Sequence, residues 1–327
     1  MIEKKRCKKL DNIKWILTIL IVLYHVQYFG QSGTTEKTFY YIKNLGDCVV
    51  PAFALISGYL FWSNISNISD VREKMKRRVY TLLVPYLLWN FLNTIMLNVM
   101  NKGYRSVDIF DINIWTDIIQ WNSSPHFWYI FMLMFWTLFA PILYLAYKDK
   151  RILALLFLSQ VFYLVYKGEA IYHSRFIYIL YTWGGYIGHN YPDLWEKLEQ
   201  WSSNRKKIVS ICAIVCYLLL GGVMVYVDIG MHIKVWIYAI RAILLVIGCF
   251  NVPELVIGKK TNFKFSFWVF AVHYWLDTYV SAFVRNYVDG IVYQFITWGA
   301  VLFLALVSGA ILDKVWHKGF ALMTGNR

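Results

Sequence analysis

The sequence predicts an all-α integral membrane protein, a bundle of about ten transmembrane helices, and three observations predict it. Hydrophobic residues fill 59% of the 327 positions and charged residues only 16%, where a soluble domain carries about 25%. The apolar residues fall into long continuous runs rather than the alternating segments of a β-barrel, which selects helices. The basic residues, finally, lie mostly on alternate connections between those runs, the asymmetry that orients a protein in a bilayer. Such a chain has too little polar surface for a soluble globular fold and too much apolar sequence for a disordered one.

The runs cover 12–30, 46–63, 79–99, 127–147, 151–167, 173–190, 208–228, 233–251, 263–285 and 290–313, each near the ~20 residues a helix needs to cross hydrocarbon. The first holds His25, eleven positions after Lys14. The second ends in PAFALISGYLFW, where Ser57-Gly58 admits either a closely packed helix or a ligand. The third follows the basic run VREKMKRR and contains Pro85, which interrupts the helical ladder. The fourth is entered past His126. The seventh carries Cys212 and Cys216, the eighth Arg241, and the ninth His273 and Asp277. The connection 191–207 reads as a short amphipathic piece, with Trp195, Leu198 and Trp201 on one side, lying on the membrane surface. The connection 100–126 is the longest.

With both termini cytoplasmic, 24 of the 33 Lys and Arg residues fall on inside segments, eight on outside segments, and Arg241 within a run. That bias supports an even number of spans and this orientation. The net charge of +14 is thus accounted for by inside loops and anionic lipid, with no nucleic-acid partner needed. Five cysteines, Cys7, Cys48, Cys212, Cys216 and Cys249, form no C-x-x-C pair and suit packing rather than a metal site or disulfide. No cleavable leader is apparent, and the chain reads as a single transmembrane domain, 1–327, with short tails and no fused soluble domain.

Ionisable groups inside hydrocarbon are costly and mark function by default. Eleven helical residues rise about 16 Å, so Lys14 at one membrane boundary places His25 near the midplane, three turns on and on the same face. His273 and Asp277 share a face, where the carboxylate either orients the imidazole or forms a structural pair with it. Asp47 and His126 sit at outer mouths. Lys76, Arg77 and Arg78 either hold anionic lipid or cradle phosphates, which guanidinium forks suit.

Together these phrases resemble the acyltransferase 3 family of multi-pass membrane enzymes. The features that carry the resemblance are Lys14 and His25 after Leu10-Asp11, FALISGYLF at 53–61, KRRVYTLLVPYLLW at 76–89, PHFWYIFMLM at 125–134 with APIL at 140–143, FIYILYTWGGYIG at 176–188, and SFWVFAVHYWL at 266–276. Lys14 stands where arginine is commoner, and Thr81 where a second basic residue often precedes the proline.

The resemblance implies transfer of an acyl group, usually acetyl, from cytoplasmic acyl-CoA to a hydroxyl of a cell-surface or lipid-linked glycan at the plasma membrane. His25 would then be the general base, and Lys14, Lys76, Arg77 and Arg78 would hold the phosphates of acetyl-CoA, a donor substrate and not a bound cofactor. Asp47, His126, His273 and Asp277 would border the acceptor. Tyr24, Ser57 and Arg241 are candidates for stabilising the oxyanion by residue type. No metal is expected; membrane lipids are the other expected partners, and the oligomeric state is left open. The alternative is a transporter or uptake module for a small polar solute such as an amino acid, which Pro85 and Gly184-Gly185 would suit; the absence of an internal repeat speaks against it.

Overall fold

The structure, a computed structural model, describes residues 8–27, 29, 34–100, 112–120, 124–166, 176–250 and 263–325. Cys7, most of the connection 100–126, and the basic residues Lys4, Lys5, Arg6, Lys259, Lys260 and Arg327 lie outside the described residues. Among the described residues every regular element is a helix. In order they are α1 (Lys8–His25), α2 (Thr34–Lys43), α3 (Val49–Trp62), α4 (Ile68–Arg78), α5 (Val84–Met100), α6 (Ile112–Ile119), α7 (Trp128–Leu138), α8 (Ala140–Lys148), α9 (Lys150–Tyr166), α10 (Phe176–Asn190), α11 (Leu194–Glu199), α12 (Ser203–Tyr226), α13 (Met231–Gly248), α14 (Ser266–Val284), α15 (Gly290–Val315) and α16 (His317–Thr324).

Among the described residues, three stretches are long and apolar enough to cross a membrane: Ile68–Leu97, Ser203–Tyr226 and Gly290–Val315. A fourth is the broken pair Pro125–Leu138 and Ala140–Lys148, bent by 59°. Two of the ten apolar runs contain a helix end, because apolar composition does not reveal where a helix stops. The run 127–147 breaks at Phe139, just ahead of Pro141, which cannot donate to the preceding turn. The run 12–30 leaves the helix after His25, whose carbonyl accepts from the Gln27 side-chain amide at 3.2 Å. His25 is therefore the last residue of α1 and not an interior one.

The chain divides into two compact units, 1–65 with 146–306, and 66–145 with 307–327. In the first, α3 packs against α10 at backbone distance. A Cβ on Gly58 would lie 2.1 Å from the Tyr181 carbonyl oxygen, and one on Gly184 2.0 Å from that of Leu55. The small residues thus let two helices touch, the packing reading of Ser57-Gly58. Helix α1 packs on α14, tied by Thr18 Oγ1 and Ser266 Oγ at 2.5 Å. Trp195, Leu198 and Trp201, from α11 and the turn after it, line an apolar cavity with Tyr59, Ile187 and Phe250, and Trp195 stacks on Phe250.

In the second unit, α4 starts at a capping box in which Asn67 accepts from the Asp70 amide and Asp70 accepts from the Asn67 amide. Pro85 leaves the Thr81 carbonyl without its usual donor, and the chain answers with a π-helical turn over Val79–Leu83, closed by Val84 N–H to the Val79 oxygen. Gly325, at φ +69°, sits against Thr81, where a Cβ would come 2.6 Å from that carbonyl oxygen. Trp89 donates to the Met323 oxygen at 2.9 Å and fastens α16 to α5.

Candidate active site

Two helices of the first unit bring His25 and His273 together. Thr18 and Ser266 tie α1 to α14, and seven residues on from each tie stand His25 and His273. Equal rise on both helices carries them to one level. Their ring centroids lie 4.9 Å apart at 52°. Tyr24 and Tyr274 meet the His25 ring edge-on, at 5.6 and 6.2 Å. His273 is fully buried, and its Nδ1 lies 2.7 Å from the Phe270 carbonyl oxygen. A carbonyl only accepts, so the neutral ring carries its proton on Nδ1 and presents Nε2 as an acceptor. His25 is half-buried, less enclosed than His273.

Asp277 follows one turn after His273 and is buried. Its Oδ1 accepts from Ser281 at 3.1 Å, while the His273 Nδ1 proton goes to the Phe270 backbone. A further residue completes the group. Lys43, the last residue of α2, places its ammonium 5.5 Å from the centre of the Tyr24 ring, and its charge falls on both His25 and Asp277. Sequence reasoning counted Lys43 only as loop charge. Nothing in the local sequence marks it, because its role comes from where the chain turns after α2.

That turn is held by Asp47. Its Oδ2 accepts from Arg241 Nη1 at 2.8 Å, and Nη2 of the same arginine donates to the Asn44 oxygen at 2.8 Å. Arg241 is wholly buried and its guanidinium lies 4.5 Å from the Tyr217 ring centre. Tyr238 donates to the Asp47 carbonyl oxygen, and Tyr217 to that of Leu45. The corner 43–48 is thereby fixed to α12 and α13. Gly46 seats it on α1, since a Cβ there would lie 2.4 Å from the Leu20 carbonyl oxygen and 2.6 Å from Tyr24 Cβ. Both Arg241 Nη groups are committed to the corner, which leaves it poorly suited to an oxyanion.

Lys14 stands eleven residues before His25 on α1, with its Nζ 3.6 Å from Asp11 Oδ1. The other anticipated residues belong to the second unit. Lys76, Arg77 and Arg78 stand just ahead of the π-helical turn through which α4 runs on into α5. Arg77 pairs with Glu73 at 2.5 Å, both side chains exposed. His126 is buried in the short turn Pro125–Phe127, its ring 4.8 Å from that of Phe127. So the first unit assembles His25, His273, Asp277 and Lys43, with Asp47 in the adjoining corner, and the second carries the basic turn and His126.

Residues 8–312 match the acyltransferase 3 family, described as "Acyltransferase domain". No curated protein and no solved structure matches the chain.

Proposed function

The chain belongs to the acyltransferase 3 family, and from that premise we propose that it moves an acyl group, in the simplest case acetyl, from acyl-CoA to a hydroxyl of a cell-surface or lipid-linked glycan. At family level it is a membrane acyltransferase. Our reading adds the donor, the acyl group, the acceptor, about ten crossings and cytoplasmic termini in the plasma membrane. The observation that carries it is the contact between His25 and His273 at 4.9 Å, beside Asp277 and Lys43.

In this reading His25 is the general base. Half-buried at the end of α1, it accepts the acceptor hydroxyl's proton as the oxygen attacks the thioester carbon. It then returns that proton to the departing CoA sulfur, so the histidine ends as it began. His273, held in one tautomer by the Phe270 carbonyl, presents Nε2 towards the same region, and the Asp277 carboxylate favours the transient imidazolium. Donor phosphates are assigned to Lys76, Arg77 and Arg78, and separately to Lys14. An acceptor-side role is assigned to Asp277 and His126, and a supporting one to Asp47 through the corner it anchors.

Titrating acetyl-CoA into the purified protein in neutral detergent tests the donor assignment. The wild type should bind, and the double variant Arg77→Gln/Arg78→Gln should bind about a hundredfold more weakly, two charge-assisted hydrogen bonds being lost. Unchanged affinity in the double variant removes the phosphate role, and a wild type blind to acyl-CoA removes the donor.

A further inference from the structure

The first unit buries a polar pair on α15 that has no role in the transfer so far described. Gln294 and Thr297 stand one turn apart on α15, and both are 0% exposed. Among the described residues, neither Oε1 nor Nε2 of Gln294 has a hydrogen-bond partner, and neither has Oγ1 of Thr297. Leaving three such buried atoms without a protein partner is costly, and a fold tolerates it where a ligand completes them. Apolar residues of the same shape would spare the fold that cost.

Two hydrogen bonds locate the pair. Gly290 N–H donates to the Phe29 oxygen at 2.8 Å, and Trp298 Nε1 donates to the Ile19 oxygen at 3.0 Å. These ties run α15 antiparallel to the segment 19–29. Gln294 is four residues before Trp298, a helical rise of about 6 Å, and the same rise on α1 from Ile19 reaches Leu23, next to Tyr24 and two residues before His25. Its direction follows from helical spacing. Trp298, four residues on, shares its face and is bonded to α1. Tyr293, beside it, packs on Val26 of the α1 side and Val284 of α14. Gln294 therefore faces the seam of α1 and α14, the seam that holds His25 and His273.

We propose that Gln294, seconded by Thr297, receives the acyl carbonyl oxygen during transfer, its Nε2–H groups stabilising the charge that oxygen gains. The assignment rests on the acyl-transfer reading and supplies what that reading lacks. As the acceptor oxygen bonds to the carbonyl carbon, the C=O π pair moves onto oxygen. Among the described residues, Gln294 Nε2 and Thr297 Oγ1 are donors on that seam without a partner, whereas both Nη groups of Arg241 are held by Asp47 and Asn44. When the pair returns, the C–S bond breaks and the thiolate takes the proton from His25.

The test compares Gln294→Met, Thr297→Val and His25→Ala with wild type, reading kcat, donor KM and ligand-free melting temperature. Gln294→Met should lower kcat by about a hundredfold to a thousandfold, the usual cost of one oxyanion donor, with donor KM little changed. Thr297→Val should lower it less. Neither should melt below wild type, because an apolar isostere removes a buried unpaired group; a residue with a structural role would give the opposite result. Wild-type kcat in Gln294→Met, or a melting temperature several degrees lower, overturns the proposal. A rate lost in His25→Ala but kept in Gln294→Met removes this inference alone; a rate kept in both removes the His25 reading with it.

Discussion

The first unit buries polar side chains in two neighbouring places and treats them differently. At the Asp47–Arg241 corner the charges meet at 2.8 Å, and carbonyl, carboxylate and ring partners surround the guanidinium. At the α1–α14 seam, the rings of His25 and His273 lie 4.9 Å apart, and His25 is half-buried. The first arrangement pairs both Nη groups of Arg241 with the corner and so fixes the backbone. The second keeps nitrogen lone pairs available. An ionisable residue in a membrane protein is thus informative through its partners more than through its burial, and the two sites should respond to mutation in opposite ways.

The sharpest break of that comparison is His25→Ala. It should lower acyl transfer by a factor of about 10²–10⁴, the usual contribution of a general base, while the melting temperature and donor affinity hold. Turnover at the wild-type level in a purified assay would end the assignment. The corner should behave in reverse. Arg241→Met strands the Asp47 carboxylate in a dry site and should cost about 3–5 kcal/mol of stability. Asp47→Leu together with Arg241→Met should recover much of that loss, because removing both charges removes the desolvation they share. Equal destabilisation in the single and double variants would mean that the pair is not a closed unit.

Much of the seam was legible in the sequence. Lys14 and His25 share a face because eleven residues make three turns, and His273 and Asp277 share one because they are four apart. Both statements need only helical period. The end of α1 at His25 was not legible, because Val26, Tyr28 and Phe29 carry the apolar run past it. The Asp47–Arg241 pair joins positions 194 apart, and no local spacing encodes such a contact. Gln294 escaped for another reason: a search of the apolar runs for ionisable groups passes over an uncharged carboxamide. The α3–α10 contact lay between, since Gly58 and Gly184-Gly185 were visible as small residues while their meeting was not.

The smallest effect asks whether the corner and the seam are mechanically joined. Gly46 is the point of contact, because it seats the corner on Leu20 and Tyr24, next to His25. The added methyl of Gly46→Ala would meet backbone oxygen at 2.4 Å, and backbone cannot swing aside as a side chain can. The corner must lift from α1, at about 1–3 kcal/mol, the usual cost of overpacking. Lys43 would then move with it, and transfer should slow in step with stability. Gly222→Ala is the control within the same unit. Its new methyl meets nothing nearer than Tyr41 Cε2 at 3.9 Å. Gly222 lies inside α12. Alanine there should stabilise the helix by about 0.5–1 kcal/mol, through its better helix propensity and a less flexible unfolded chain. The rate should not change. If Gly46→Ala lowered the melting temperature but left turnover untouched, the corner would be scaffold alone, and the position of Lys43 would have no bearing on the chemistry at His25.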